Sequence, residues 1–450
     1  MIRNENMFNR ELFILAHQAA DRNFYSIYKK LIQNQWKSYD ELKEEQEKQL
    51  RHMVNFAYEN VPYYHKLFND LRLVPGDIKK IEDLQKLPVL TKENIKSNWE
   101  DFQPVNLNKL HYYEGVTGGS TGNPLKYRLS KFDRFLSGAL LYRGWGYGGY
   151  GLGDKMVFLA GSSLDIGTKS YLAKRVHEIA RNIMKLSSFD MGEKEMRKYV
   201  NIINSFKPKF LRGYASSIYF FANWIEKNNL KIDYPLLIFT TSEKLYPHMK
   251  EQIGKIFHCE VLDTYGLNDG GISAYECQEH AGLHIDTERG IMEIADPEGN
   301  QLETGSGKIL ATSLYNYSMP FIRYDTNDLG NLTDDICSCG RGYKLLKEVI
   351  GRSVDFLLTP EGKNVNGWFF IYIFWKFCQG IKEYQIIQEK LDKIIIKIVT
   401  DEYFDEKQLN KILQEVRLKS EGWNVEFKFV DKIDKTKAGK YKYVINEIQE

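Results

Sequence analysis

Between residues 155 and 266 short apolar runs alternate with amphipathic stretches, and few folds accommodate that alternation. "KMVFLAG" (155–161), "PKFLRGY" (208–214), "PLLIFTTS" (235–242) and "CEVLDTYG" (259–266) are each too short for a core helix. They read as buried strands, separated by helical segments such as "SSIYFFANWIEKN" (216–228). Strand–helix alternation predicts an α/β core with a largely parallel sheet. Residues 7–70 instead place apolar side chains three and four apart, which predicts a helical cap reaching to about residue 100. From 290 to 335 the pattern turns to hairpins, with "DPEGN" (296–300) as turn chemistry. After "VIGRSVDFL" (349–357) the order strand, strand, helix, strand predicts a small α+β domain. The expected division is therefore 1–350 and 351–450, a large α/β domain and a small one.

The chain has 450 residues, 43% of them hydrophobic, enough for more than one core. Its 62 basic and 60 acidic residues nearly cancel, so no overall field draws it to nucleic acid or an acidic membrane. The longest apolar run near the start, "LFILA" (12–16), is too short for a signal segment or a membrane span. Five cysteines suit a reducing compartment, and the expectation is a cytoplasmic protein without a disulfide framework.

"YEGVTGGSTGNPLKY" (113–127) concentrates glycine, hydroxyl residues and a lysine. Gly118, Gly119 and Gly122, alternating with Thr117, Ser120 and Thr121, can turn backbone N–H groups and hydroxyls around an anion; a plain flexible loop is the alternative. Two further runs imitate nucleotide motifs. "GYGGYG" (146–151) follows a helix rather than a strand and reads as a turn, and "GSGK" (305–308) is followed by Ile309 where Ser or Thr would bind magnesium. The latter reads as the start of the strand "KILATSL".

"TGGSTGNP" resembles the phosphate loop of the adenylate-forming enzymes, the acyl-CoA synthetase and ligase superfamily. Other motifs follow in that family's order: "DTYGLNDGG" (263–271), "IRYDTNDLG" (322–330), the hinge-like "GRSVDFL" (351–357) and the lysine-bearing "KTKAGKYKYV" (435–444). "VPYYHKLF", "IEDLQKLPVLTKENI" and "ECQEHAGLHI" are similar to the phenylacetate-CoA ligase branch, which includes capsule-biosynthesis relatives. The resemblance implies ATP-dependent activation of a carboxylic acid as an acyl adenylate, with release of pyrophosphate and transfer to CoA. It implies that Thr117 to Gly122 wrap the ATP phosphates, that Lys126 adds charge, and that Tyr265 and Gly266 face the adenine while Asn268 bonds the nucleotide. Asp328 accepts the ribose hydroxyls. Asp269, standing where the family usually has Glu, holds magnesium with a side chain one methylene shorter. Lys440 reaches the α-phosphate from a small domain that pivots at Val354, between Arg352 and Asp355. Val354 replaces the usual charged pivot residue.

Thiols and imidazoles gather in "ECQEHAGLH" (276–284) and "CSCG" (337–340), and a closed tetrahedral zinc site needs four such ligands. Members of the branch carry a structural zinc at matching positions, which implies Cys277, His284, Cys337 and Cys339 as ligands, with His280 the competing imidazole. Cys259 and Cys378 sit in apolar contexts and read as core. Aromatic segments, and Tyr214 and Ser216 in "RGYASS", are the expected wall of an aryl or acyl acid pocket. An amine, a sugar or a carrier protein as acceptor, a homodimer, and a non-catalytic nucleotide-binding scaffold all remain compatible with this reading.

Overall fold

The computed structural model describes residues 2–449 apart from 118–124, 161–170, 189–190, 233–236, 353–355, 363, 367–368, 371–372, 375–378 and 436–440. By its internal contacts the chain forms two compact units, a large one up to Ile350 and a small one from Gly351. It is an α/β protein with a large N-terminal and a small C-terminal part.

The large unit begins with helices Ile2–Ala20, Phe24–Asn34, Tyr39–Asn60 and Pro62–Asp70. Their boundaries follow local chemistry. Ser38 caps the third helix by accepting from the Glu41 backbone N–H, Glu41 reciprocates at the Ser38 N–H, and Pro62 opens the fourth helix at its first turn. The apolar side of these two helices, Leu50, Val54, Ala57, Tyr64 and Phe68, packs on Ile272, Ile309 and Tyr324 of the large sheet and on Phe321 just before its strand. The Tyr64 hydroxyl, fully buried, donates to the Pro320 carbonyl at 3.1 Å and accepts from the Ile322 N–H at 3.0 Å.

Two sheets meet in this unit. The first is parallel, ordered Ile183–Ser187, Met156–Ala160, Phe210–Tyr214, Leu237–Thr241, Val261–Leu262. The Ile183–Ser187 strand falls in a segment whose sequence shows no comparable apolar run, and it occupies the sheet edge. Helix Lys131–Gly146 covers one face through Leu140, Tyr142 and Trp145, which join Phe13, Phe24, Phe210 and Phe239 in an aromatic core. The second sheet has eight strands, ordered Gln301–Leu302, Gly290–Ala295, Gly305–Ser313, Tyr324–Thr333, Leu345–Arg352, Leu283–Ile285, Ile272–Glu276, Thr264–Leu267. Its hairpin at 296–300 is the expected turn, with the Asp296 carboxylate accepting from the Asn300 N–H at 2.8 Å.

The run "CEVLDTYG" is not one strand. Val261–Leu262 closes the parallel sheet, Asp263 breaks the run, and Thr264–Leu267 starts the other sheet. Val261 and Leu262 are buried while Thr264–Leu267 is only partly so, and no Gly or Pro marks the change of sheet. "GYGGYG" is the turn after helix Lys131–Gly146, and "GSGK" begins strand Gly305–Ser313, as their contexts require.

In the small unit, strands are ordered Asn424–Phe429, Lys393–Thr400, Ile381–Lys390, Val444–Asn446 beside helix Lys407–Arg417. Ile386, Ile394, Ile396 and Ile398 meet Ile412 and Val416 of the helix in a separate core. The alternation in "DKIIIKIVT" and the helical spacing after it foretell that packing.

Candidate nucleotide rim and metal centre

Strand Thr264–Leu267 carries Tyr265 at the edge of the antiparallel sheet, and the Tyr265 hydroxyl donates to Asp328 Oδ2 at 2.9 Å. Asp328 is buried, and its N–H donates to Thr326 Oγ1 at 3.1 Å. Asn327, just before it, has φ +61°, so the strand kinks there and presents the carboxylate. Four residues beyond Tyr265, Asp269 is also buried and accepts from the Tyr324 hydroxyl at 3.1 Å. Burial, and then the Asp269 charge, push the Tyr324 phenol far above its ordinary value.

The loop that carries Asp269 is held from behind. Arg289 donates to both oxygens of Asp133, at 3.0 and 2.8 Å, and reaches the carbonyls of Leu267 and Asn268 at 3.2 and 3.3 Å. Arg289 and Asp133 are almost entirely buried, so neither charge has water to fall back on. Gly271 has φ +70° and its carbonyl abuts Gly290, where an added Cβ would lie 2.3 Å from that oxygen. That close approach requires Gly290 to be bare. Asn268 itself is exposed, as is Gly266.

Strands Tyr112–Val116 and Lys126–Ser130 pair antiparallel and lead to and from the glycine-rich run. At its neck the Thr117 N–H donates to the Leu125 carbonyl, and the Leu125 N–H donates to Thr117 Oγ1, both at 2.9 Å. Gly118, Gly119, Ser120, Thr121 and Gly122 lie outside the described residues, and so do Lys440, Val354 and Asp355. Lys126 is exposed on the second strand. Its neighbour Tyr127 is pushed up to about 12, first by burial and then by the Asp269 charge, so this hairpin and the acidic loop share one neighbourhood. Arg352 ends strand Leu345–Arg352.

Tyr214 ends a parallel strand at the start of helix Ala215–Lys227, and both it and Ser216 are buried. The Ser216 N–H donates to Glu243 Oε2 at 3.0 Å. Glu243 thus serves as an anionic cap from another strand end, a role the sequence reading missed; the acid directly after "IFTTS" was the available signal.

The cysteine and histidine clusters do converge. Cys277, His284, Cys337 and Cys339 bring their ligand atoms within 4.8 Å of one another. Cys277 Sγ is 3.6 Å from Cys337 Sγ, and His284 Nε2 lies 3.3 Å from Cys277 Sγ and 3.4 Å from Cys339 Sγ. A tetrahedral zinc with bonds of about 2.0 to 2.3 Å has ligand–ligand edges of about 3.5 to 3.8 Å, so the donor set fits that ion. His280 turns away, its Nδ1 lying 2.8 Å from Glu276 Oε1 and 3.1 Å from Lys250 Nζ. Burial pushes the Cys277 thiol up to about 12 and His284 down to about 4, the uncharged forms that an apolar setting favours. Cys259, also pushed up to about 12 by burial, stands apart from the cluster, and Cys378 lies outside the described residues.

Around the cluster, Arg341 lies 4.0 Å from the Tyr147 ring and 5.1 Å from the Trp36 ring, and its Nε donates to Gln35 Oε1 at 2.9 Å. Arg143 is wholly buried among Asp286, Glu288 and Tyr343. These contacts tie helices to the sheet on either side of the thiols.

A model described as the CapK C-terminal domain matches residues 357–447. Protein CapK of Staphylococcus aureus is 26% identical over 447 residues, covering 97% of this chain and 95% of that protein. Over nearly its whole length the chain is similar to CapK. A phenylacetate-coenzyme A ligase of Thermus thermophilus is 25% identical over 397 residues, covering 81% of this chain and 83% of the ligase. Among solved structures, 2-hydroxyisobutyryl-CoA ligase in a postadenylation state overlays with a TM-score of 0.71 at 18% identity, with 92% of each chain covered. The fold is therefore that of an adenylate-forming CoA ligase.

Proposed function

We propose that this relative of CapK and the phenylacetate-CoA ligases is a ligase that activates a carboxylic acid with ATP. The products of the first step are an acyl adenylate and pyrophosphate, and CoA then takes the acyl group. The observation that carries this reading is the pair of buried carboxylates, Asp328 and Asp269, each accepting a tyrosine hydroxyl, beside the hairpin that bears the glycine-rich run. A carboxylate with several acceptor sites suits two ribose hydroxyls, and Asp328 takes that role with the Tyr265 ring against the adenine. Asp269 holds magnesium, which when bound neutralises charge on the phosphates. Thr117 to Gly122, with Lys126, contact those phosphates, Gly266, Asn268 and Arg352 complete the nucleotide set, and Tyr214 and Ser216 border the acid.

In this proposal residues 1–350 are the adenylating domain and residues 351–450 a mobile lid that brings Lys440 to the α-phosphate. Cys277, His284, Cys337 and Cys339 hold a structural zinc with no open position for chemistry. The protein works in the cytoplasm on a small acid; among the described residues no helix is long and apolar enough to cross a membrane. A second reading keeps the adenylation and changes the acceptor to an amine, a sugar or a carrier protein. It is favoured by the match of residues 357–447 to the CapK C-terminal domain.

Pyrophosphate release from ATP and magnesium, measured with aryl, fatty and amino acids and with or without CoA, tests both. Release that depends on an acid supports adenylation, and CoA-dependent thioester formation selects the first acceptor. ATP binding with no release across the panel would move the protein to a non-catalytic scaffold. Lys440→Ala is expected to lower the adenylation rate by about 10² to 10³. Near-native adenylation in that variant would overturn the lysine's role.

A further inference from the structure

Four arginines in the large unit, three of them deeply buried and Arg212 partly exposed, differ in one respect. Arg143 is answered by Asp286 and Glu288, Arg289 by Asp133, and Arg323 by Glu293. Arg212 has no such answer: among the described residues no carboxylate pairs with it, and the groups acting on its charge are the tyrosines Tyr275, Tyr214 and Tyr142. Its Nη2 donates to Thr241 Oγ1 at 3.3 Å, and its Nε is sealed from solvent without a partner. The guanidinium carbon lies 5.5 Å from the Trp145 ring and 5.6 Å from the Phe158 ring. Burial holds its basicity below the ordinary value, the direction expected for a cation without a counter-charge.

The strand explains why the side chain sits there. In Phe210–Tyr214, Gly213 approaches the helix that follows, where an added Cβ would lie 3.2 Å from Ile218, so Phe210, Arg212 and Tyr214 share the opposite face. Register places Arg212 between Phe158 and Phe239. The residue keeps partial exposure, and Thr241, its one bonded partner, is the last residue of its strand, at the carboxyl ends where open α/β sheets bind ligands. Tyr214 and Ser216, the proposed border of the acid, come two and four positions later.

We propose that Arg212 is a specificity residue of the acid pocket, and that the acid carries a second anionic group, a carboxylate, sulfonate or phosphate, which the Arg212 fork receives. This rests on the adenylation reading. An aromatic-lined guanidinium with four of its five donors uncommitted matches a planar anion in two-point contact, and such a ligand would also supply the missing counter-charge. The Trp145 and Phe158 rings favour a cation there only weakly, whereas a bound anion turns it into discrimination between acids.

Matched acids test it: terephthalate, 4-sulfobenzoate and glutarate against 4-methylbenzoate and valerate, with pyrophosphate release and calorimetric binding as readouts. The native protein is expected to favour the doubly charged member of at least one pair by about 10- to 100-fold in kcat/KM, the range of a charge-assisted fork. Arg212→Met should abolish that preference through KM, leave KM for ATP within about twofold, and leave singly charged acids unharmed, whereas a purely structural role would lower every acid alike. Arg212→Lys keeps charge but not the fork and should recover only part of the preference, which covers the case in which the methionine variant misfolds. Equal or better use of the singly charged acids by native protein would overturn the proposal while leaving adenylation intact. If no acid releases pyrophosphate, adenylation fails, and calorimetry still decides Arg212: binding of a doubly charged acid that Arg212→Met removes sustains it, and no such binding sinks it.

Discussion

The thiol cluster and the nucleotide rim are built on the same antiparallel sheet, yet they are held in opposite ways. Around the thiols the charged neighbours are held by other protein groups: Arg341 against two rings, Arg143 among carboxylates, and Lys250 with Glu276 at 2.7 Å. At the rim the two acids accept from tyrosine hydroxyls, Asp328 from Tyr265 at 2.9 Å and Asp269 from Tyr324 at 3.1 Å. One region is tied together by its own charged groups; in the proposed function the other holds the nucleotide. Changes in the first should therefore appear as lost stability, and changes in the second as lost turnover at constant stability.

The largest effect expected is at the thiols. Protein prepared with ample zinc should contain about one equivalent, and its removal by a strong chelator, or Cys277→Ser, should lower Tm by on the order of 10 °C or more. Metal analysis and thermal melts check this, and less than about half an equivalent of zinc in native protein would dissolve the contrast. At the rim, Asp328→Ala should reduce acid-dependent pyrophosphate release by about 10²-fold while Tm stays within about 2 °C. A large fall in Tm there would mean that Asp328 is structural after all.

Asp263 sits between the two regions, where the chain leaves one sheet for the other. Its carboxylate accepts from Thr240 Oγ1 at 2.6 Å, its N–H donates to Glu276 at 2.7 Å, and Glu276 directly precedes Cys277. Burial, joined by the Glu276 charge, pushes it up to about 6 from an ordinary 3.8. The folded protein thus keeps this proton after the unfolded chain has lost it. A penalty to stability opens as pH rises past about 4 and is complete above about 6, reaching on the order of 3 kcal/mol. Asp263→Asn cannot ionise, so its Tm relative to native protein should climb from pH 4 to pH 7. A constant difference across that range would show that Asp263 titrates normally.

The strand–helix alternation, the hairpin at 296–300 and the isoleucine-rich small unit could be read from the sequence because each follows a local period. The change of sheet at Asp263 could not, since the run carries no Gly or Pro between Leu262 and Thr264 to mark a break. Convergence of Cys277 with Cys337 depends on strands sixty residues apart, and only the topology brings them within 3.6 Å. The choice between His284 and His280 likewise rests on which way the chain turns at 280, where φ is +53°. Arg212 opens the segment "RGYASS" expected beside the acid, yet nothing in sequence singles it out, because it becomes unusual only once no carboxylate among the described residues is found to pair with it.

The smallest effect sharpens the comparison most finely. Tyr265 makes two separable contributions, a flat ring and a hydroxyl that donates to Asp328 at 2.9 Å. Removing the hydroxyl alone costs one hydrogen bond, about 1 kcal/mol, so Tyr265→Phe should raise KM for ATP about fivefold with kcat within about twofold. Tyr265→Ala also removes the ring face and should raise KM by a further factor of about 10. If the two variants behaved alike, the ring would not touch adenine and Tyr265 would act only by orienting Asp328. If both lowered Tm as strongly as Cys277→Ser does, the rim would be braced like the thiol cluster, and the distinction between a region that holds itself and one that holds a ligand would fail at its most exposed residue.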